Sequence, residues 1–275
     1  MSSPHHTDTR RLTTFAEQAA ATLFQDERVR ILWLTGSLAT GTADAQSDVD
    51  LRAAVRVEDF EKIDKWWPDM LDELVPTVWK HRFPGPPDEA ILSAITTEYL
   101  RFDLVIQSAQ DRRPRTLEAA QALFDKDDLA QEFVLTLALP HDPYSQLPSL
   151  AEDFIRLLGM LPIVVEREDV PIGMEGQLAL HSMLISLLLL ENGIDRTFRG
   201  KRHVAAHLDD EQRSLVAQVP SLAPTMESII EGRIAYGRLF LPRARRLMER
   251  HGQSYPAAFE AATTQHLWET LGLRL

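Results

Sequence analysis

The sequence predicts an N-terminal domain in which helices cover a β-sheet, followed by an all-helical domain. Up to about residue 128, amphipathic helical segments alternate with β-rich runs, as in a sheet covered by helices. Beyond that point the long segments have a helical pattern. Pro140, Pro143 and Pro148 interrupt the chain where the pattern changes. We therefore place the domains at 1–140 and 141–275.

The first segments alternate between helix and strand. Apolar residues recur with a helical period over Arg10–Gln25, and the β-rich run Val29–Thr35 then ends at a Gly-Ser pair. A second helix is predicted at 59–74, where Pro68 would split or kink it. Three further strands are predicted, at 49–57, Thr77–Phe83 and 97–107.

The second half is predicted to be helical in five segments: 147–165, 176–191, 210–219, 226–249 and 255–271. Pro162 and Pro242 should kink or break two of them. The most apolar run, 184–190, has seven residues, whereas a membrane-spanning helix needs about 20. The polar residues 1–11 lack the apolar core of a signal peptide. We therefore expect a cytoplasmic protein with no membrane partner.

The charge balance excludes some partners. The 275 residues include 41 acidic and 29 basic side chains, a formal net charge of −12. Broad nucleic-acid binding draws most of its affinity from basic groups, so a nucleic-acid partner is not expected. The acidic balance suits a cationic small molecule. The absence of cysteine excludes disulfides and cysteine-based zinc sites and fits a reducing compartment.

A Gly-Ser pair and an Asp-x-Asp pair carry the chemistry of the first half. Gly36-Ser37 ends a predicted strand, where free N–H groups and a hydroxyl would bind phosphate. Asp48 and Asp50 lie two residues apart on the next strand, which places both carboxylates on one face, about 6.6 Å apart. Carboxylates this close repel each other unless a cation joins them, and oxygen-only ligands suit magnesium.

A third acid, Asp103, lies in the middle of an apolar strand. It needs a partner, because burying a lone charge is very costly. Asp103 would either pair with Arg101 or Arg52 or join the other two acids. Three carboxylates on adjacent strands beside a phosphate-binding turn would form a two-metal site for phosphoryl transfer.

The ordered set resembles the nucleotidyltransferase superfamily of DNA polymerase β: Gly36-Ser37, ten intervening residues, Asp48-x-Asp50 and the later Asp103. The match covers 29–107. With a helical second domain, the chain is most similar to the two-domain antibiotic nucleotidyltransferases, which adenylylate aminoglycosides or lincosamides. The resemblance implies an α+β nucleotidyltransferase domain at 1–140, a mixed sheet flanked by helices. It also implies a helical domain at 141–275 that closes on the nucleotide and acceptor.

The resemblance further implies an enzyme that moves a nucleoside monophosphate, AMP from ATP or that of another nucleoside triphosphate, to a small-molecule hydroxyl and releases pyrophosphate. Asp48 and Asp50 would hold two Mg²⁺ ions. Asp103 would hold the ion nearest the acceptor and take the acceptor's proton. Gly36 and Ser37 would cradle the leaving phosphates. An aminoglycoside-type acceptor would make the enzyme one of antibiotic resistance.

Other residues have open interpretations. Lys201, in the basic cluster 199–202, resembles a nucleotide-binding lysine of related enzymes, and a solvated loop is the alternative. Arg52 would form a structural ion pair, neutralise the acids or touch a phosphate. Glu175, Glu191 and Asp195 would line an acceptor pocket, and helix capping and solvent exposure are the alternatives for each. Glu175 or Glu191 would supply the base if Asp103 does not. Among the tryptophans at 66, 67 and 79, core packing is favoured over a base-stacking or acceptor wall.

Two alternatives to a small-molecule acceptor stay open. The nucleotide would instead go to a protein or to a tRNA end, the second of which the net charge disfavours. A catalytically silent nucleotide-binding or interaction module of the same fold is the alternative outside enzymes. The sequence is compatible with a monomer or a homodimer.

Overall fold

The structure, a computed structural model, describes residues 9–111, 115–116, 119–131, 135–136, 142–194 and 204–275. The chain divides into two compact units, Met1–Pro140 and His141–Leu275. The first unit is built on a six-stranded mixed sheet with flanking helices, and the second is built of helices. The predicted fold class is confirmed.

The elements of the first unit are, in chain order, α1 (Arg10–Gln25), β1 (Val29–Thr35), α2 (Gly36–Thr40), β2 (Val49–Val55), α3 (Val57–Phe60), α4 (Trp67–Leu74), β3 (Thr77–Phe83), β4 (Glu89–Thr96), β5 (Arg101–Ser108), β6 (Arg115–Thr116), β7 (Gln121–Asp125) and β8 (Leu135–Thr136). The large sheet has the order β3-β4-β5-β2-β1-β7. Its one parallel pair among the described strands is β2 with β5, and the other neighbours are antiparallel. The short strands β6 and β8 form a separate parallel pair.

One face of the large sheet carries the main core of this unit. The apolar stripe of α1, which includes Leu12, Phe15 and Leu23, is buried with the inward side chains of β1, β2, β4 and β5. The alternation of strand side chains then sends the intervening residues to the opposite face. That opposite face has a smaller apolar cluster around Ile31 and Trp33 and also bears the three acids.

Two predictions for this unit are wrong in detail. The β-rich run 97–107 does not start a strand at 97, because Thr96 and Leu100 close a turn in which Tyr99 has a φ of +60°. The strand β4, which precedes that turn, is an element that the sequence pattern does not indicate. The helix at 59–74 is divided into α3, a 3-10 turn at Ile63–Lys65 and α4. Pro68 lies in the first turn of α4, where its missing N–H costs nothing.

The second unit contains α5 (Leu147–Gly159), α6 (Leu161–Glu166), α7 (Val170–Glu191), α8 (Val204–His207), α9 (Asp210–Ala217), α10 (Met226–Arg250) and α11 (Ala257–Leu271). Pro162 lies in the first turn of α6, after the break at Met160. Pro242, by contrast, lies inside α10, which continues to Arg250. The buried neighbours Leu241 and Ala244 keep that part of α10 in the helical core.

The apolar helix α7 forms the centre of the second unit. Nine of its residues are buried, and it packs against α5 and α10. By length and composition α7 is the one described helix that would reach across a membrane, with a mean hydropathy of 1.4. A buried core helix has the same composition, and we interpret α7 as one.

Candidate active site

The pairing of β2 with β5 brings the three acids together. Asp50 lies directly opposite Asp103 in the parallel register, and Asp48 immediately precedes β2. One carboxylate oxygen from each of the three lies within 4.8 Å of the other two. All three side chains are half-buried. Oxygens at this separation can share one or two small divalent cations, as magnesium sites in proteins do.

Gly36 lies against the carboxylate of Asp50. Its φ is +64°, and a Cβ at this position would stand 2.6 Å from Cγ and 2.9 Å from Cβ of Asp50. The cause is the sheet register, because β1 pairs with β2 so that the preceding residue, Thr35, faces Asp50. Glycine is therefore required here for both its backbone angle and its lack of a side chain.

Ser37, next to Gly36, carries a buried hydroxyl group. Its Oγ atom is shielded from solvent and makes no hydrogen bond within the described part of the chain. A buried polar group left unpaired costs free energy, so such groups are rare unless a ligand or water satisfies them. Helix α2 has only five residues and contributes little dipole. What this turn offers to a ligand is therefore the serine hydroxyl and the turn's backbone N–H groups.

Ser93 is a contact of the acids that the sequence did not reveal. It lies on β4 opposite Asp103, and its Oγ donates a hydrogen bond to Oδ1 of Asp103. The interaction fixes one oxygen of that carboxylate. In the sequence, the feature that could have indicated this contact is a lone serine between Leu92 and Ala94 in an apolar run. It is informative only once that run is recognised as a strand.

Arg52 is held in an ion pair beside the acids. Its Nη1 donates to Oε1 of Glu89 at 2.8 Å and to Oε1 of Gln107 at 2.6 Å. The side chains of Arg52 and Glu89 are both mostly buried. Of the three interpretations offered by the sequence, the structural ion pair is the one the structure shows.

The remaining predicted site residues lie in the second half of the sequence. Lys201 and Asp195 lie outside the described residues. Glu191 accepts hydrogen bonds from Arg243 and from Gln212 in the second unit, which commits its carboxylate to a structural network. Glu175 is exposed on α7.

The tryptophans separate into two kinds. Trp66 is 8% exposed, donates from Nε1 to the carbonyl of Asp59 and lies under the guanidinium of Arg28. Trp67 packs partly buried against the same core. Trp79 is 43% exposed on β3. Core packing, the favoured interpretation, therefore holds for Trp66 and Trp67 and not for Trp79.

Neither a protein-family model nor a curated protein sequence matches the chain. Among solved structures, it aligns with an aminoglycoside 6-adenyltransferase from Bacillus subtilis at 13% identity, 97% of this chain, 98% of that chain and a TM-score of 0.38. It also aligns with a nucleotidyltransferase-like protein from Exiguobacterium sibiricum at 16% identity, 96% of this chain, 87% of that chain and a TM-score of 0.35. TM-scores this low carry no functional conclusion, which has to come from the geometry of the site.

Proposed function

We propose that this chain is an Mg²⁺-dependent nucleotidyltransferase that moves a nucleoside monophosphate, AMP from ATP being the leading candidate, to a hydroxyl group. The observation that carries the proposal is the convergence of the carboxylates of Asp48, Asp50 and Asp103 within 4.8 Å of one another. Two observations support a phosphate site immediately beside them: the close contact of Gly36 with Asp50, and the buried hydroxyl of Ser37, which has no hydrogen-bond partner among the described residues.

The donor set fits magnesium. It offers carboxylate oxygens only, the ligands that hard divalent cations prefer, and nucleotide phosphates would complete the coordination. Bound there, one or two Mg²⁺ ions would offset the mutual repulsion of the acids and neutralise charge on the phosphates. Asp48 and Asp50 are the proposed ligands of both ions, and Asp103 is the proposed third ligand.

In the proposed reaction the acceptor oxygen forms a bond to the α-phosphorus, and the bond from that phosphorus to the bridging oxygen breaks, so that pyrophosphate leaves. The acceptor's proton goes to Asp103. Ser93 donates to Oδ1 of Asp103, which leaves Oδ2 to receive the proton or to bind the cation. The pairing of Glu191 with Arg243 argues against Glu191 as the base. Gly36 and Ser37 cradle the phosphates of the leaving group.

A small-molecule hydroxyl is the proposed acceptor, with an aminoglycoside-type antibiotic as its leading class. The net charge of −12 favours a polycationic acceptor over a nucleic acid. Turnover of such an acceptor should fall as ionic strength rises, because salt screens the attraction between the acidic protein and the cationic acceptor. The Debye length at physiological ionic strength is about 8 Å. Lys201 stays a proposed nucleotide contact, and a cytoplasmic location stays a prediction.

The test is transfer of label from α-³²P-ATP to compounds of an aminoglycoside and lincosamide panel, with pyrophosphate release as the second readout. We expect Mg²⁺-dependent transfer by the wild type. Each of Asp48→Asn, Asp50→Asn and Asp103→Asn should lower turnover by a factor on the order of 10²–10⁴, because each loses a charged ligand. Asp69→Asn, a change of an exposed acid on α4, is the matched control. Full activity in all three site variants would contradict the proposal.

A further inference from the structure

Three aromatic rings lie on the sheet face that carries the acids. Trp79, His81 and Phe83 alternate along β3 to one face, whereas Lys80 and Arg82 between them reach the other face, towards α4 and the preceding turn. The ring centroids of Trp79, His81 and Phe83 lie 4.6–6.4 Å apart. We call these three residues the aromatic strip.

The aromatic strip is connected to the acids by strand register. His81 pairs with Ser93, Ser93 with Asp103, Asp103 with Asp50, and Asp50 with Thr35. These five residues therefore form one row across five neighbouring strands, with their side chains on one face. Strands lie about 4.8 Å apart, so the strip begins roughly 10 Å from the carboxylate of Asp103.

The two ends of this row differ in chemistry. Beyond Asp50, the row meets Gly36 and Ser37, the proposed phosphate cradle. Beyond Asp103, it meets the hydroxyl of Ser93 and then the aromatic strip. In a reaction at the α-phosphorus, the attacking oxygen and the leaving pyrophosphate lie on opposite sides of that atom. Phosphates held at the glycine end therefore place the acceptor at the aromatic end.

The exposed rings of the strip are unlike the core aromatics of the same unit. Trp79 and Phe83 are each 43% exposed, and the strand neighbours Ile91, Ile95 and Val105 on the same face are only half-buried. Aromatic side chains supply large, rigid apolar contact area at small entropic cost, and such rings form stacking surfaces for ligands. A contiguous exposed apolar patch is a feature of ligand-binding grooves and interaction sites.

We propose that the aromatic strip binds the ring of a hydroxylated cyclic acceptor and presents one of its hydroxyls to Asp103. This proposal rests on the proposed function and adds the acceptor's chemical class and subsite to it. The strip has the extent of one or two six-membered rings. A saturated sugar or cyclitol stacks its C–H face on Trp79 and Phe83. Because the strip begins roughly 10 Å from the carboxylate of Asp103, a hydroxyl of a second, linked ring is the one that reaches Ser93 and Asp103.

The test measures acceptor binding by calorimetry without nucleotide, so that it does not depend on turnover. The probes are kanamycin, lincomycin and methyl glucoside, with glycerol as the compound that lacks a ring. We expect at least one ring-bearing probe to bind the wild type. Trp79→Ala should weaken that binding about tenfold, which is ~1.4 kcal/mol. Trp79→Phe should restore most of the affinity, because it keeps a ring.

Trp268→Ala is the matched control, since Trp268 is 48% exposed on α11 in the other unit. It should leave probe binding within twofold of the wild type. The rise in melting temperature on adding Mg²⁺ and ATP should be the same in the wild type and in Trp79→Ala, because the strip is assigned to the acceptor.

Three results would each overturn the proposal: no ring-bearing probe binds, Trp79→Ala binds within twofold of the wild type, or Trp79→Ala loses the nucleotide-dependent rise in melting temperature. The last of these would assign the strip to the nucleotide. Absence of label transfer with intact ring binding would instead count against the proposed function and leave the subsite in place.

Discussion

Replacing Gly36 with alanine adds one carbon at the point where β1 meets the carboxylate of Asp50. The new Cβ would lie 2.6 Å from Cγ of Asp50. Carbon atoms in contact prefer about 3.5 Å, and Oδ2 of Asp50 would lie closer still, so Asp50 or the turn has to move by at least about 0.9 Å. The φ of +64° adds roughly 1–2 kcal/mol of strain for any residue with a Cβ.

A displacement of about 1 Å in a catalytic group costs a factor on the order of 10² in rate. We therefore expect Gly36→Ala to lower nucleotidyl transfer at least that much and to weaken the stabilisation by Mg²⁺ and ATP. Both are measured on purified protein, by label transfer from α-³²P-ATP and by thermal melting with and without the metal and nucleotide.

Gly41→Ala is a close control for this experiment. Gly41 has a φ of +71°, yet a Cβ there would meet nothing within 4 Å. It should therefore lose a similar ~1–2 kcal/mol of stability from backbone strain, without loss of transfer beyond a few-fold. If Gly36→Ala and Gly41→Ala behave alike in transfer and in stabilisation by Mg²⁺ and ATP, the contact with Asp50 has no functional role.

Three further expectations concern stability, each measured by urea unfolding. Arg52→Met should lower the free energy of unfolding by about 3 kcal/mol, because it breaks a mostly buried ion pair. The double variant with Glu89→Leu should recover part of that loss. Equal stability of the wild type and Arg52→Met would refute this expectation. Burial raises the pKa of Asp26, but the hydrogen bonds from Arg28 outweigh the effect of burial and hold that pKa below 3.8. The pair of Asp26 and Arg28 therefore stabilises the fold above pH 3.8, and this stabilisation is lost as the pH falls through the lowered pKa of Asp26. Asp26→Asn should therefore lose ~1 kcal/mol at pH 7 and show a shallower acid loss, and an unchanged acid profile would contradict that. Burial lowers the pKa of Arg233 to about 10. The charge on Arg233 therefore destabilises the second unit below that pH, and this destabilisation is relieved as the pH rises from about 10 towards 12.5. Arg233→Met should raise the free energy of unfolding by ~1–3 kcal/mol at pH 7, and a decrease would show that the buried guanidinium stabilises the fold.

The acids and the Gly-Ser turn were predictable from the sequence because their spacing is local. Gly36-Ser37 ends a β-rich run, and Asp48 and Asp50 lie two residues apart at the start of the next one. Such features depend on neighbouring residues only, and helix or strand periodicity is sufficient to find them. That Asp50 meets Asp103 was expected, but its cause, a parallel register between β2 and β5, comes from the sheet topology.

The contacts that depend on β4 could not be predicted from the sequence. The chain from Glu89 to Thr96 alternates only between buried and half-buried positions, so its apolar residues do not show the strong period of a half-exposed strand. Without β4, neither the hydrogen bond from Ser93 to Asp103 nor the row that joins His81 to the acids can be inferred. The turn at Tyr99 also lacks glycine, the residue that would have marked its positive φ.

The ion pair of Arg52 shows a similar limit. Glu89 lies 37 positions away in sequence, and only the pairing of β4 with β5 and of β5 with β2 brings it near. Pro242 does not end α10, which continues to Arg250, because burial of neighbouring residues stabilises the helix across the proline.

The most direct test of the central claim is the melting temperature of the wild type and of Asp50→Asn, each with ATP alone and with ATP plus Mg²⁺. If the three acids bind the metal–nucleotide complex, Mg²⁺ should add stabilisation of the wild type beyond that of ATP alone, about 2.7 kcal/mol at 100 times the dissociation constant. Asp50→Asn should lose most of that increment while keeping its fold. An equal melting temperature with and without Mg²⁺ in the wild type, or an undiminished increment in Asp50→Asn, would contradict the metal-dependent site.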